Sequence, residues 1–131
     1  MLPDDHQAWN NRGVALDDLG RFEQAIASYD RALEIKPDDH DAWNYRGNAL
    51  ADLGRFEEAI ASYDQAIKIN PNYANAYYNK AVCYGLQNNV ELAIENLQRA
   101  ISLDVEYQDM AKTDKDFEQI RGDERFQSLL S

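Results

Sequence analysis

The sequence predicts an all-α solenoid: three stacked helix–turn–helix repeats followed by C-terminal capping helices. Three observations predict it. Residues 3–36 recur without a gap as 37–70, with 25 of 34 positions identical, and again with more divergence as 71–104; a period of that length marks an array of small helical units. Each copy carries two apolar runs at helical spacing. Each opens on a proline, Pro3, Pro37 or Pro71, which cannot continue a helix and so separates one copy from the next.

Taken in order, Asp4, Asp38 and Asn72 follow the prolines and are expected to cap the first helices, placed over 5–19, 39–53 and 73–87. Trp9, Trp43 and Tyr77, with Leu16, Leu50 and Tyr84 seven residues on, form one apolar stripe. Small residues interrupt it at Gly13, Gly47 and Ala81, and a second small position recurs at Ala25, Ala59 and Ala93. Small residues on facing helices permit a close crossing, into which the large rings are expected to pack. Gly20, Gly54 and Asn88 stand where the first helix ends and are residues tolerant of a left-handed backbone. The second helices are expected over 22–35, 56–69 and 90–103, with Phe22, Ile26, Tyr29 and Leu33 and their counterparts as the apolar face. Neither helix of a pair buries its face alone, so neighbours must stack.

Beyond Asp104 the period breaks. Residues 105–131 are expected to form a helical cap, with short helices near 105–111, 114–120 and 124–130 and a capping start at Thr113-Asp114. Phe117, Ile120, Phe126, Leu129 and Leu130 lie at helical spacing, as a cover for the last repeat requires.

The residues Trp9, Gly13, Leu16, Ala25, Tyr29, Ala32 and Pro37, matched by Trp43, Gly47, Leu50, Ala59, Tyr63, Ala66 and Pro71, resemble the tetratricopeptide repeat (TPR) family in the form common in bacterial arrays. The resemblance covers 3–104 and implies a right-handed TPR superhelix with a concave, partner-binding face. One departure recurs: Arg12, Arg46 and Lys80 replace the leucine usual before the small residue. With Asp30 and Asp64 on the second helices, this suggests a partly buried pair between Arg46 and one of those aspartates.

The resemblance places on the concave face Asn10 and Asn11 from the first repeat, Asp41, Asn44, Tyr45 and Asn48 from the second, and Asn75, Tyr78 and Asn79 from the third. At 100° per residue the same positions fall opposite the Trp–Gly–Leu stripe. Asparagine offers both a donor and an acceptor to a peptide backbone, and tyrosine adds flat apolar area with a polar tip. The charges nearby are Asp17, Asp18, Asp41 and Asp52, so a neutral or basic segment is the expected ligand. Some TPR co-chaperones grip the acidic C-terminal tail of heat-shock chaperones with a clamp of Lys, Arg and Asn. The clamp positions here hold Asn10, Val14, Tyr45, Asn75 and Asn79, without a cation, so no such tail is expected to bind.

Composition narrows the alternatives. Thirteen Lys and Arg against 24 Asp and Glu leave a net charge of −11, which argues against nucleic acid and anionic membranes. No apolar run is long enough to insert in a membrane. The single cysteine, Cys83, suits a reducing compartment, and a cytoplasmic location is the expectation. There is no phosphate loop, nucleophile elbow or paired-histidine helix motif. His6 and His40 share a repeat position but lack further ligands. The reading is therefore a protein-interaction module or scaffold, not an enzyme, with no metal and no cofactor. Only two residues precede Pro3, so the expectation is either a fragment of a longer array or an apolar N-terminal edge left exposed. Alternative expectations are a self-assembling scaffold, a homo-oligomer joined through that edge, and a regulatory TPR segment of a larger protein.

Overall fold

A computed structural model of the protein describes residues 5–131. Pro3 and Asp4, the punctuating proline and expected cap of the first repeat, lie outside the described residues. The chain divides into two compact units, 1–71 and 72–131. The first contains α1 (His6–Asp18), α2 (Phe22–Ile35), α3 (His40–Asp52) and α4 (Phe56–Ile69). The second contains α5 (Ala74–Leu86), α6 (Val90–Leu103), α7 (Glu106–Thr113), a 3₁₀ helix (Lys115–Ile120) and α8 (Glu124–Leu130). Among the described residues every regular element is helical.

The turns between paired helices behave as their residue types require. Gly20 and Gly54 adopt φ +76° and Asn88 φ 60°, the left-handed region that glycine and asparagine enter at least cost. That geometry closes a Schellman motif: Gly20 N–H donates to Asp17 O at 2.9 Å and Arg21 N–H to Leu16 O at 2.8 Å. The same pair of bonds recurs from Gly54 and Arg55 and from Asn88 and Asn89. The helix starts differ from expectation by one residue. Asp39, not Asp38, caps α3, its Oδ1 accepting from Asp41 and Ala42 N–H at 3.1 and 3.3 Å. Asp5 caps α1, and Tyr73 precedes α5 without a side-chain cap.

The close helix crossings form, but the tryptophans do not fill them. The ring of Tyr29, fully buried, lies against Gly13, and that of Tyr63, 1% exposed, against Gly47. A methyl group built on Gly47 would stand 2.5 Å from Tyr63 Cε1, so no larger residue fits. The third pair makes the complementary exchange, Ala81 with Leu97, both fully buried. Trp9 and Trp43 are only half-buried. They form the bases on which guanidinium groups sit, Arg12 and Arg31 at 5.7 and 5.2 Å from the Trp9 ring and Arg46 at 5.8 Å from that of Trp43.

Arg46 joins three helices. Its Nε donates to Asp30 Oδ1 on α2 at 2.7 Å and its Nη1 to Ser62 Oγ on α4 at 2.8 Å. The ion pair itself is partly exposed and therefore weak, but Ser62 is buried and loses a donor without it. Arg46→Met should lower the unfolding free energy in urea by about 1–2 kcal/mol. A change no larger than a surface substitution, about 0.5 kcal/mol, would show that the junction carries no load.

In the second unit α7, the 3₁₀ helix and α8 fold back on α5 and α6. Phe117 and Phe126 are fully buried with ring centroids 5.3 Å apart, and Ile120 and Leu130 complete the core. Phe117 lies over Gly85, where an added Cβ would touch its ring at 3.0 Å. Arg121 holds the turn after α7 by donating to the carbonyls of Ala111, Lys112 and Asp114 at 3.3, 2.7 and 2.6 Å. Asp123 then caps α8, and its bond from Arg125 holds its carboxyl below the usual range.

Candidate functional site

The candidate site is the face of the first helices that the apolar stripe leaves to solvent. In the first unit α1 and α3 present it. Asn11 and Asp41 are exposed, and Tyr45 and Asn48 are half-buried. The Tyr45 ring lies 5.8 Å from that of Tyr29, tilted by 33°, so the core supports one face of it. Asn48 accepts a hydrogen bond at its Oδ1 from the Tyr63 hydroxyl at 2.6 Å. Its carbonyl is thus engaged, and its amide N–H groups are the part left to offer. In the first repeat the equivalent phenol, Tyr29 of α2, donates to Asp17 Oδ2 of α1 at 2.9 Å. The two repeats therefore tie the same tyrosine to different first-helix positions.

Asn10 and Asn44 are not surface contacts. Both are buried, at 6% and 1% exposure. Asn10 Nδ2 donates to Asp39 Oδ2 at 2.8 Å, so α1 grips the residue that caps α3. In the second unit the matching position is Tyr78, whose hydroxyl donates to Asp114 Oδ2 at 2.6 Å. Asp114 in turn caps the 3₁₀ helix. The third repeat thus treats the 3₁₀ helix as a fourth first helix, with α7 as an inserted spacer.

That arrangement corrects the expectation for Tyr78. The residue is 5% exposed, covered by Tyr107 at 4.9 Å and by the edge of Phe117 at 5.7 Å, and belongs to the core. Gly85, two turns further along α5, also lies beneath Phe117. What α5 leaves accessible is Asn75, exposed, and Asn79, half-buried, with Asn79 Nδ2 donating to Asn75 Oδ1 at 3.0 Å. Two sequence signals mark this difference. Tyr78 replaces the asparagine of the other copies, and Gly85 replaces Asp17 and Ala51: a larger group to meet the cap, and a smaller one to admit it.

The electrostatics of the α1 and α3 face are acidic. Asp17 is partly buried, one of its oxygens has no partner among the described residues, and its carboxyl is raised above the ordinary value, burial being the largest cause and Asp52 and Asp18 adding repulsion. In the window between the ordinary and the raised value the folded state binds more protons than the unfolded one. Stability from this group therefore falls as pH rises through that window. Asp17→Asn keeps an acceptor for Tyr29 and removes the charge, so its melting temperature should equal or exceed wild type at pH near 7 and lose the advantage near pH 4. A lower melting temperature at neutral pH would mean that the Tyr29 bond outweighs desolvation.

The groups considered for other chemistry are placed as follows. Cys83 is fully buried, and burial pushes its thiol up to about 12, so it carries no thiolate near neutrality. His40 lies 3.7 Å from Asp41. Among the described residues no three metal-binding side chains converge, and no helix is long and apolar enough to cross a membrane.

Comparison with known proteins adds an independent line. A family model for the tetratricopeptide repeat matches residues 1–40, 16–74 and 46–109. A search of curated proteins finds no match. Among solved structures, the TPR2AB-domain:pHSP90 complex of yeast Sti1 superposes with TM-score 0.79 at 25% identity, over 91% of this chain and 47% of that one. The TPR2B-domain:pHsp70 complex of yeast Sti1 gives 0.77 at 26%, over 87% and 94%. YrrB, a TPR protein with an unusual peptide-binding site, gives 0.75 at 29%, over 82% and 57%. The chain spans about half the length of the first of these.

Proposed function

The chain belongs to the tetratricopeptide repeat family, and we propose on that footing that it is a non-catalytic protein-interaction module that binds a neutral or basic peptide segment along its first helices. The observation that carries the reading is the composition of the accessible face. In the first unit Asn11, Tyr45 and Asn48 offer amides and one supported ring and Asp41 adds negative charge; in the second unit Asn75 and Asn79 offer amides; no Lys or Arg stands among them. Amides bond an extended backbone without reading its sequence. The carboxylates select against acidic segments. The yeast Sti1 domains are complexes with pHSP90 and pHsp70, which supports peptide capture by this fold. The clamp positions of this chain lack cations, so an acidic C-terminal tail is not its ligand.

Selection from a displayed random peptide library tests this directly. The expected ligands are extended, neutral or basic, and of about micromolar affinity. An Asp41→Ala/Asn75→Ala double variant, changed only at exposed positions, should weaken them by about tenfold or more. Enrichment of peptides ending in Asp or Glu would overturn the charge argument. Full binding by the double variant would remove this face as the site.

A further inference from the structure

Each unit holds a pair of tyrosines, built alike from different parts of the sequence. In the first, Tyr29 is fully buried, its hydroxyl donates to Asp17 Oδ2 at 2.9 Å, and the half-buried ring of Tyr45 lies 5.8 Å away, tilted by 33°. In the second, Tyr78 is buried, its hydroxyl donates to Asp114 Oδ2 at 2.6 Å, and the half-buried ring of Tyr107 lies 4.9 Å away, tilted by 31°. An inner ring fixed to a carboxylate thus supports one face of an outer ring, and the opposite face is the part that reaches solvent. The repeat alone does not supply the second pair. Asp39 follows α2 after residues 36–38, whereas Asp114 follows α6 only after residues 104–113. This insertion, with α7, brings Tyr107 onto Tyr78.

Charge separates the two outer rings from other aromatics of the chain. Among the described residues arginines stand over Trp9, Trp43, Tyr77 and Phe126, between 5.2 and 5.8 Å from the ring centroids. None stands over Tyr45 or Tyr107. The neighbours of Tyr107 are acidic instead. Burial raises its hydroxyl above the ordinary value, and the charges of Asp104 and Glu106, both exposed, add to the rise. The face of an aromatic ring is the negative pole of its quadrupole, and nearby carboxylates deepen that potential. Its complement is a cation.

We propose that the open face of Tyr107 seats a lysine or arginine side chain of the peptide bound along α5, with Asp104 and Glu106 holding its charge. Asn75 is exposed and stands one turn before Tyr78 on α5, on the same side of the helix. The ring that covers Tyr78 therefore lies beside an amide that bonds the peptide backbone. The inference rests on the peptide-binding reading above and sharpens it. A neutral segment satisfies Asn75 and Asn79 equally well, but only a basic residue gains from Tyr107. The ligand's cation does at Tyr107 what Arg99 of the chain does at Tyr77. Tyr45, set on Tyr29 beside Asp17, offers the same chemistry in the first unit. On this view α7 is a binding element as well as a spacer.

The probes are random heptapeptides selected by display on the wild-type chain, then synthesised singly and titrated. The selected set should be rich in Lys and Arg. Replacing the basic residue by norleucine in the peptide, or Tyr107→Leu in the protein, should each weaken binding by about fivefold or more. Both changes together should cost no more than either alone, because they remove one contact. Tyr107→Phe keeps the ring face and should bind within about twofold of wild type. Glu106→Gln, at an exposed position, should weaken the basic peptides and leave their norleucine forms unchanged. Selected peptides without a basic residue, or full binding of basic peptides by Tyr107→Leu, would overturn the inference. If those peptides are still lost on Asp41→Ala/Asn75→Ala, the peptide-binding reading stands without it. If Tyr107→Leu weakens basic and norleucine peptides alike, the ring serves the fold alone and the inference fails. If the wild-type chain retains no heptapeptide, both readings fail.

Discussion

Phe117→Ala is expected to lower the unfolding free energy by about 3–5 kcal/mol, the range for removing a fully buried aromatic side chain. The ring is fully buried and makes three contacts that join two helices of the second unit. On α5 it lies over Gly85 and meets Tyr78 in a T-shaped pair at 5.7 Å, and on α8 it contacts Phe126 at 5.3 Å. No neighbour is placed to collapse into all three contacts, so a cavity remains and the cost sits in the upper part of the range. Urea denaturation followed by far-ultraviolet circular dichroism measures it. Since Tyr78 and Gly85 lie beneath the ring, the variant should also raise the hydrogen-exchange rate along α5. A loss below about 1 kcal/mol would mean that the C-terminal helices rest on α5 without closing its core.

Gly47→Leu should cost about 1–3 kcal/mol or more through overpacking. The first carbon of the new side chain already stands 2.5 Å from Tyr63 Cε1, with Cδ1 and Cζ at 2.8 and 2.9 Å. The ring cannot swing aside, because it is 1% exposed and its hydroxyl is bonded to Asn48. The helices must therefore separate, which also strains the Arg46 junction between α2, α3 and α4. The third repeat indicates the remedy. Ala81 with Leu97 fills the equivalent crossing, so Gly47→Ala/Tyr63→Leu should recover most of what Gly47→Ala alone loses. An unchanged denaturation midpoint for Gly47→Leu would show that the crossing is looser than the burial of Tyr63 implies.

These two expectations bear on function as well as on stability. The cap decides how much of α5 reaches solvent, leaving Asn75 and Asn79 and taking Tyr78. The Gly47 crossing sets where α3 presents Tyr45 and Asn48 beside their supporting tyrosines. If the chain binds a peptide as proposed, a variant that loosens either should change that binding without altering any of the proposed contact residues.

The features legible in the sequence were those a short segment decides for itself. The repeat, the six paired helices and the left-handed turns at Gly20, Gly54 and Asn88 follow from periodicity and from local backbone preference, and each is complete within about 20 residues. A pairing of Arg46 with Asp30 or Asp64 was legible too, because the repeat puts a cation and a carboxylate in register on neighbouring helices; the structure selects Asp30. What only the tertiary structure decided was which side of a residue another part of the chain comes to cover. Trp9 and Trp43 read as core by size, yet Tyr29 and Tyr63 occupy the crossings, because the glycines face the second helix and the tryptophans sit at its edge. Asn10 and Asn44 read as surface amides, yet they are buried, and Asn10 is spent on gripping Asp39. Tyr78 read as a groove residue until Asp114, 36 positions further on, placed the 3₁₀ helix over it. Burial is a property of pairs of segments distant in sequence, and a helical period fixes the angle at which a side chain leaves its helix without saying what will meet it there.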